Sequence, residues 1–92
     1  MEQKQIQIRA SEADLKGVYS NVMQILHTQE EFILDFFDIV GESGVFSARI
    51  ILSPGHLKRM VRALEENLKK YESRFGPITP AQLPTPKVGF KP

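Results

Sequence analysis

The chain has 92 residues, enough for one small domain with a modest hydrophobic core. Hydrophobic residues make up 41% and charged residues 25% of it, and 12 basic against 11 acidic side chains give a net charge of +1. This balance excludes a strongly basic nucleic-acid clamp and an acidic solvating tail as descriptions of the whole chain. The absence of cysteine excludes disulfides, thiol nucleophiles and cysteine-zinc sites.

The chain carries no apolar run of the roughly 18 residues needed to span a bilayer. Residues 2–5 are polar, and the N-terminal segment lacks the hydrophobic region of a signal peptide. We therefore expect a cytoplasmic protein without a membrane segment, a metal or another cofactor.

Period-two alternation of apolar and polar side chains predicts strands in the first half of the chain. The segments with this pattern are residues 5–9 (around Ile6 and Ile8), Val18–Leu26, Phe32–Val40 and Val45–Leu52. Residues 11–17 are polar, end in glycine and predict a loop or a single helical turn. Residues 41–44 contain two glycines and predict a hairpin turn.

The period then changes to that of a helix. Ser53 is a suitable N-cap, Pro54 suits the first helical position, and Gly76 with Pro77 predicts the helix end. The apolar side chains are spaced 4, 3, 4, 3 and 4 residues apart, at Leu57, Val61, Leu64, Leu68, Tyr71 and Phe75. The sequence thus predicts an α+β fold: a four-stranded antiparallel meander, then one long C-terminal helix packed on one sheet face as part of the core.

Proline divides the chain into two parts. The last sixteen residues hold Pro77, Pro80, Pro84, Pro86 and Pro92. We expect a single ββββα domain over residues 1–76 and an extended Pro-rich tail over residues 77–92, either loose or docked on a surface. Val88 and Phe90 alternate, so they could lie along a sheet edge as an assembly arm.

The third predicted strand is apolar on both faces, which one helix cannot cover. Phe32, Leu34 and Phe36 share one face, and the other face predicts an oligomer interface at Ile33, Phe37 and Ile39. In the fourth strand we expect Phe46, Ala48, Ile50 and Leu52 on one face, and Val45 and Ile51 on the other. The second face needs a partner subunit, the tail or a ligand, unless the sheet curls over itself; a dimer is the favoured solution.

The polar residues predict no catalytic site. The carboxylates of Glu30, Glu31, Asp35, Asp38 and Glu42 are best explained as a solvated strand edge. The two histidines, His27 and His56, have no metal-site spacing. An anion or a partner could bind at the start of the basic helix, whose candidate residues are Ser53, Gly55, His56, Lys58 and Arg62. The simpler interpretation is that Ser53 caps the helix.

Several strings together resemble a known family. They are Tyr19-Ser20-Asn21, the segment from His27 to Phe36, the segment from Ser53 to Arg59, Leu64-Glu65-Glu66-Asn67 and the segment from Tyr71 to Gly76. Together they resemble the small bacterial proteins of the domain-of-unknown-function family thirty-four sixty-seven. The resemblance implies no established activity and supplies no catalytic residues.

At fold level, four strands followed by a helix are similar to the single-stranded-DNA-binding folds of the PC-four and Whirly type and to the core of the SecB export chaperone. The basic helix favours the first comparison, but the acidic third strand and the aromatics in apolar strand context do not. We therefore predict a non-catalytic, oligomeric protein-binding or assembly module, with a possible protein or peptide partner. The alternative is a single-stranded nucleic-acid-binding protein of ββββα type.

Overall fold

The computed structural model describes residues 4–84, so the predicted arm residues Val88 and Phe90 lie outside the described residues. Two helices and three strands follow one another along this part of the chain. They are α1 (Glu12–Lys16), β1 (Val22–His27), β2 (Phe32–Val40), β3 (Ser43–Leu52) and α2 (Pro54–Phe75). The strands form one antiparallel sheet in the order β1-β2-β3. The predicted α+β class, the antiparallel meander and the long C-terminal helix are confirmed.

Short turns join the strands. The loop between β2 and β3 has two residues, and its first residue, Gly41, has φ 60° while Glu42 keeps a negative φ. This is the pattern of a type II′ turn, whose twist matches that of the strands. Between β1 and β2, the Thr28 hydroxyl accepts hydrogen bonds from the backbone N–H groups of Glu30 and Glu31 at 3.1 and 3.2 Å. Both turns fix the register of the central strand, β2.

The predicted first strand is not present. Residues 5–9 have no regular secondary structure, and Ile6 and Ile8 are 86% and 84% exposed. A strand forms only where its backbone groups meet those of a neighbour, and two isoleucines among polar residues supply little burial to hold it against a sheet edge. The single helical turn predicted after this segment is confirmed as α1, where Ser11 and Asp14 form a reciprocal capping box.

The second predicted strand begins later than expected, at Val22 instead of Val18. The side-chain amide of Asn21 takes the place of a strand neighbour: its Nδ2 donates to the Ile39 carbonyl at 2.8 Å, and its Oδ1 accepts from the Ile39 N–H at 2.9 Å. The Ser20 hydroxyl lies 3.0 Å from the carbonyl oxygens of Val22 and Phe37. Side chains of the residues just before β1 therefore satisfy the backbone of β2 beyond the start of β1.

A β-bulge changes the face on which one aromatic side chain lies. The register steps from Phe36 opposite Ala48 to Phe37 opposite Phe46, which leaves Ser47 as the additional residue of β3. The ring of Phe46 meets that of Phe37 edge to face, with centroids 5.5 Å apart. Phe46 thus lies on the face of Phe37, and Val45 on the opposite face beside Asp38, so the sequence-based assignment of both was wrong. The bulge reverses the alternation that the sequence pattern assumes.

The predicted packing of α2 on a sheet face is not observed. The helix begins at Pro54 directly after β3, yet none of its residues is buried. The radius of gyration of the Cα atoms is 16.6 Å, whereas a compact chain of this length has about 12 Å. The 22-residue helix, about 33 Å long, instead leaves its apolar side chains largely exposed. Neither helix within residues 4–84 has the length and apolar character of a membrane span.

Candidate interaction surface

The α2 seam is an exposed apolar stripe on the long helix. We define it as the six side chains that repeat at intervals of four and three residues, Leu57, Val61, Leu64, Leu68, Tyr71 and Phe75. These positions fall within a narrow sector at 100° per residue, so they form one continuous row. Leu57 is half-buried, and the other five are between 43% and 65% exposed. A row of this length left open to water is typical of an interaction surface.

The ends of the helix are well defined by capping. The Ser53 hydroxyl accepts a hydrogen bond from the His56 N–H at 3.2 Å, and Pro54 occupies the first turn. Gly76, at φ 98°, closes the helix by donating its N–H to the Glu72 carbonyl at 2.8 Å. The simple cap predicted for Ser53 is therefore confirmed, and this hydroxyl already uses one of the donors that an anion would need.

The other predicted residues of this site are exposed on the first turns of α2. Gly55, Lys58 and Arg62 are exposed. The Nδ1 of His56 lies 3.1 Å from Nη2 of Arg59. These residues lie near the N-terminal end of α2, as the sequence predicts. They are separate, exposed side chains along the helix surface.

The sheet has two apolar faces, as predicted. Residues directly opposite in an antiparallel pair lie on the same face, so the register defines both. The Phe37 face carries Leu26, Gln24, Val22, Ile33, Asp35, Phe37, Ile39, Ile51, Arg49, Phe46 and Gly44. The Leu34 face carries His27, Ile25, Met23, Phe32, Leu34, Phe36, Asp38, Val40, Leu52, Ile50, Ala48, Val45 and Ser43.

The residues predicted as an oligomer interface lie on the Phe37 face. Phe37 and Ile39 are buried together with Val22 and form the hydrophobic cluster of the described chain, while Ile33 is half-buried. Leu26 and Ile51 on the same face are about half exposed. The buried residues of this face therefore already form the core of the single subunit. The exposed Leu26 and Ile51 both lie beside Ile33.

The Leu34 face is also partly open. Leu34 and Leu52 are buried, but Met23, Ile25 and Ile50 are each nearly half exposed. The α2 helix begins two residues after Leu52, the last residue of β3. The partly open sheet face and the exposed helix row together leave each subunit with more apolar surface in water than is usual for a small monomer.

An ion pair lies in the middle of the Phe37 face. Arg49 donates from Nε to Oδ1 of Asp35 at 2.7 Å and from Nη2 to Oδ2 at 2.9 Å, which is the bidentate geometry that arginine and carboxylate prefer. The side chain of Asp35 is 4% exposed and that of Arg49 is 52% exposed. These hydrogen bonds from Arg49 lower the pKa of Asp35 below its usual range, against the opposing effect of burial.

The acidic residues do not form the solvated edge that the sequence suggests. Asp35 lies on the central strand, where it is buried and paired, because β1 and β3 flank β2 on both sides. Asp38 lies on the opposite face, as predicted, and Glu30, Glu31 and Glu42 lie in the two turns. No three acidic or histidine side chains among residues 4–84 come together as a metal site would require.

Sequence reasoning missed two features of this surface. One is the Asp35–Arg49 pair, for which the signal was a lone carboxylate on an apolar face and an arginine on the next strand. The other is the exposure of the α2 seam, which was predicted to be core. No signal in the sequence distinguishes the two outcomes, because the same apolar spacing is expected whether a helix packs on its own sheet or on another surface.

Comparison with known proteins identifies the family. A model of the family described as "Protein of unknown function (DUF3467)" matches residues 1–80. The chain belongs to this family. No curated protein and no solved structure matches it. The resemblance inferred from the sequence strings is therefore confirmed, and the family description assigns no activity to any residue of this surface.

Proposed function

We propose that this DUF3467 chain is a non-catalytic assembly module that forms a homo-oligomer, in the first place a dimer. The observation that carries the proposal is the α2 seam, a row of six apolar residues on a helix that buries none of its residues in its own subunit. A helix with one apolar stripe normally buries that stripe against another element. Since the subunit itself does not cover this stripe, the surface that packs against it belongs to another molecule.

The energetics favour association through this row. Fully burying one Leu, Val or Phe side chain contributes about 1.5–3 kcal/mol relative to leaving it in water. Five seam residues are roughly half exposed or more, and the sheet adds Met23, Ile25 and Ile50 at similar exposure. Aromatic side chains such as Tyr71 and Phe75, whose rings lie 4.9 Å apart, are common anchors of protein interfaces.

The non-catalytic part of the proposal is supported by what the polar side chains do. Ser53 caps α2, Thr28 holds the turn before β2, and Asp35 is held by Arg49. These three side chains serve the fold, and this supports a function carried by the apolar surface. A cytoplasmic location is part of the same proposal, because a chain without cysteine suits a reducing compartment.

The proposal is tested by measuring the mass of the full chain in solution. We expect light scattering after gel filtration to give a multiple of 10.5 kDa at high micromolar concentration. Leu64→Glu places a charge in the seam and should yield the monomer, whereas Lys70→Glu, on the opposite side of α2, should leave the mass unchanged. A wild-type chain that scatters as a monomer at this concentration would refute the proposal.

The second candidate is binding of single-stranded nucleic acid. The feature that favours it is the exposed basic side of α2, formed by Lys58, Arg59, Arg62, Lys69, Lys70 and Arg74. We rank it below assembly because the aromatic Phe37 is buried and the central strand carries Asp35, so the sheet offers a poor stacking platform. An oligonucleotide shift assay at two salt concentrations distinguishes nucleic-acid binding from assembly. Binding that weakens steeply with salt, and that is lost in the double variant Lys69→Ala/Lys70→Ala, would support this candidate.

A further inference from the structure

The spacing of the α2 seam is that of a coiled coil. Intervals of four and three residues place Leu57, Leu64 and Tyr71 at heptad positions d, and Val61, Leu68 and Phe75 at positions a. In this frame the e positions, on one flank of the seam, are Lys58, Glu65 and Glu72, and the g positions, on the other flank, are Met60, Asn67 and Arg74. We propose that two copies of the chain associate by antiparallel pairing of their α2 helices along this seam.

The volumes of the seam residues favour the antiparallel direction. In a parallel pair each layer holds the same residue twice, so Tyr71 meets Tyr71, Phe75 meets Phe75 and Val61 meets Val61. In an antiparallel pair the layers are Leu57 with Phe75, Val61 with Tyr71, and Leu64 with Leu68. Every aromatic ring then faces an aliphatic side chain, and the layers have similar widths, as close packing requires.

The flanking charges point the same way. Antiparallel pairing sets e positions beside e positions, so Lys58 of each copy lies next to Glu72 of the other, which gives two attractive pairs. The cost is one like-charge pair, Glu65 beside Glu65 at the centre. Parallel pairing sets g beside e and yields only Met60 with Glu65 and Asn67 with Glu72, without an ion pair. The helix is therefore complementary to itself only when reversed.

A second copy is thus the occupant that fits the seam. The two Lys58–Glu72 pairs are related by a twofold axis that passes near residue 66, as a dimer with identical surfaces requires. The pairing depends on the proposed homo-oligomer and specifies its interface. This arrangement explains why the seam is exposed in the single subunit. It also explains why Lys58 at one end of the seam and Glu72 at the other have opposite charges.

Spin-label distances test the direction of the helices directly. The natural chain has no cysteine, so Arg59→Cys, Glu66→Cys and Ser73→Cys each carry one label per subunit, one heptad apart and on the side of α2 away from the seam. In the antiparallel dimer the copies of residue 59, and those of residue 73, are offset by about 21 Å along the axis. We expect the shortest distance between subunits at residue 66 and longer, similar distances at 59 and 73.

Charge exchange gives an independent readout. Lys58→Glu should weaken the dimer roughly ten-fold, since it turns two attractive pairs into repulsive ones. Adding Glu72→Lys should recover most of the affinity, although Oε2 of Glu72 also accepts a hydrogen bond from the Ile78 N–H. Lys70→Glu is the matched control and should have no effect. Glu65→Gln should tighten the dimer.

The outcomes separate the two proposals. Three equal distances, or a dimer unaffected by Lys58→Glu, would overturn the antiparallel pairing and leave the homo-oligomer standing. A dimer that persists in Leu64→Glu would place the interface elsewhere and also overturn the pairing. A wild-type monomer would overturn the homo-oligomer itself.

Discussion

At the scale of single residues, polar side chains decide how the sheet is held together. The Asn21 amide satisfies both backbone groups of Ile39, and Arg49 holds both carboxylate oxygens of Asp35. A buried carboxylate without such a partner would be costly, so the pair makes an acidic residue acceptable at the centre of an apolar face. These contacts join residues far apart in the chain and fix the neighbours of β2.

The Asp35–Arg49 pair should make stability depend on pH in the acid range. The pKa of Asp35 is lower in the folded chain than the value of about 3.9 in the unfolded one. The unfolded state therefore binds more protons in this range, and stability rises with pH. The contribution of the pair is complete above the unfolded value and is lost as the pH falls through the lower pKa of the folded chain.

We expect Asp35→Asn to lower the melting temperature at pH 7 and to differ less and less from the wild type as the pH falls from 5 to 2. Asp38→Asn removes the same charge from the opposite face and leaves the pair intact, so it serves as the control. Thermal melts across this range measure the effect. A difference from the wild type as large at pH 2 as at pH 7 would contradict it.

At the scale of elements, α2 is the helix whose stability is least explained by its own subunit. The caps at Ser53 and Gly76 define its ends, and its apolar side chains repeat at helical intervals. Helices that bury nothing are nevertheless marginal in water, because propagation barely offsets the cost of nucleation. The partner proposed for the seam is therefore also what would keep this helix fully formed.

We expect α2 to lose protection when assembly is prevented. In the Leu64→Glu variant, the amides of α2 should exchange with solvent at least about ten-fold faster than in the wild type, while those of the central strand β2 change little. Hydrogen exchange resolved along the chain measures both elements in one sample. Equal protection of α2 in the two proteins would mean that the helix is stable without a partner.

At the scale of the whole molecule, one subunit leaves a large part of its apolar surface uncovered. The core of the described chain is small, with Val22, Phe37 and Ile39 as its buried cluster. Small domains commonly complete such a core by oligomerisation. The stability of the fold should then depend on how much protein is present, because association is linked to folding by mass action.

A ten-fold increase in protein concentration should raise the melting temperature of the wild type by roughly 4 °C, if folding and dimerisation are one transition. Differential scanning at several concentrations gives this slope. The Leu64→Glu variant should melt at a lower temperature that does not change with concentration. A wild-type midpoint independent of concentration would contradict the coupling.

The sequence by itself determined the elements whose signals are local. The bounds of β2 follow from its dense aromatic and β-branched run, and those of α2 from Ser53, Pro54 and Gly76, since strand propensity and capping depend on near neighbours. The opposite faces of Asp35 and Asp38 follow from the pleat of β2, which needs no information from other strands.

Only the tertiary structure decided the features that depend on distant parts of the chain. The bulge at Ser47 reversed the face of Phe46, and the side-chain pairing of Asn21 with Ile39 accompanies the late start of β1 at Val22. Residues 5–9 form no strand within the subunit, and the α2 seam is open instead of packed on the sheet. The physical reason is shared by all four: alternation and helical spacing specify which side chains are apolar, but which surface covers them is set by contacts between segments that are remote in sequence.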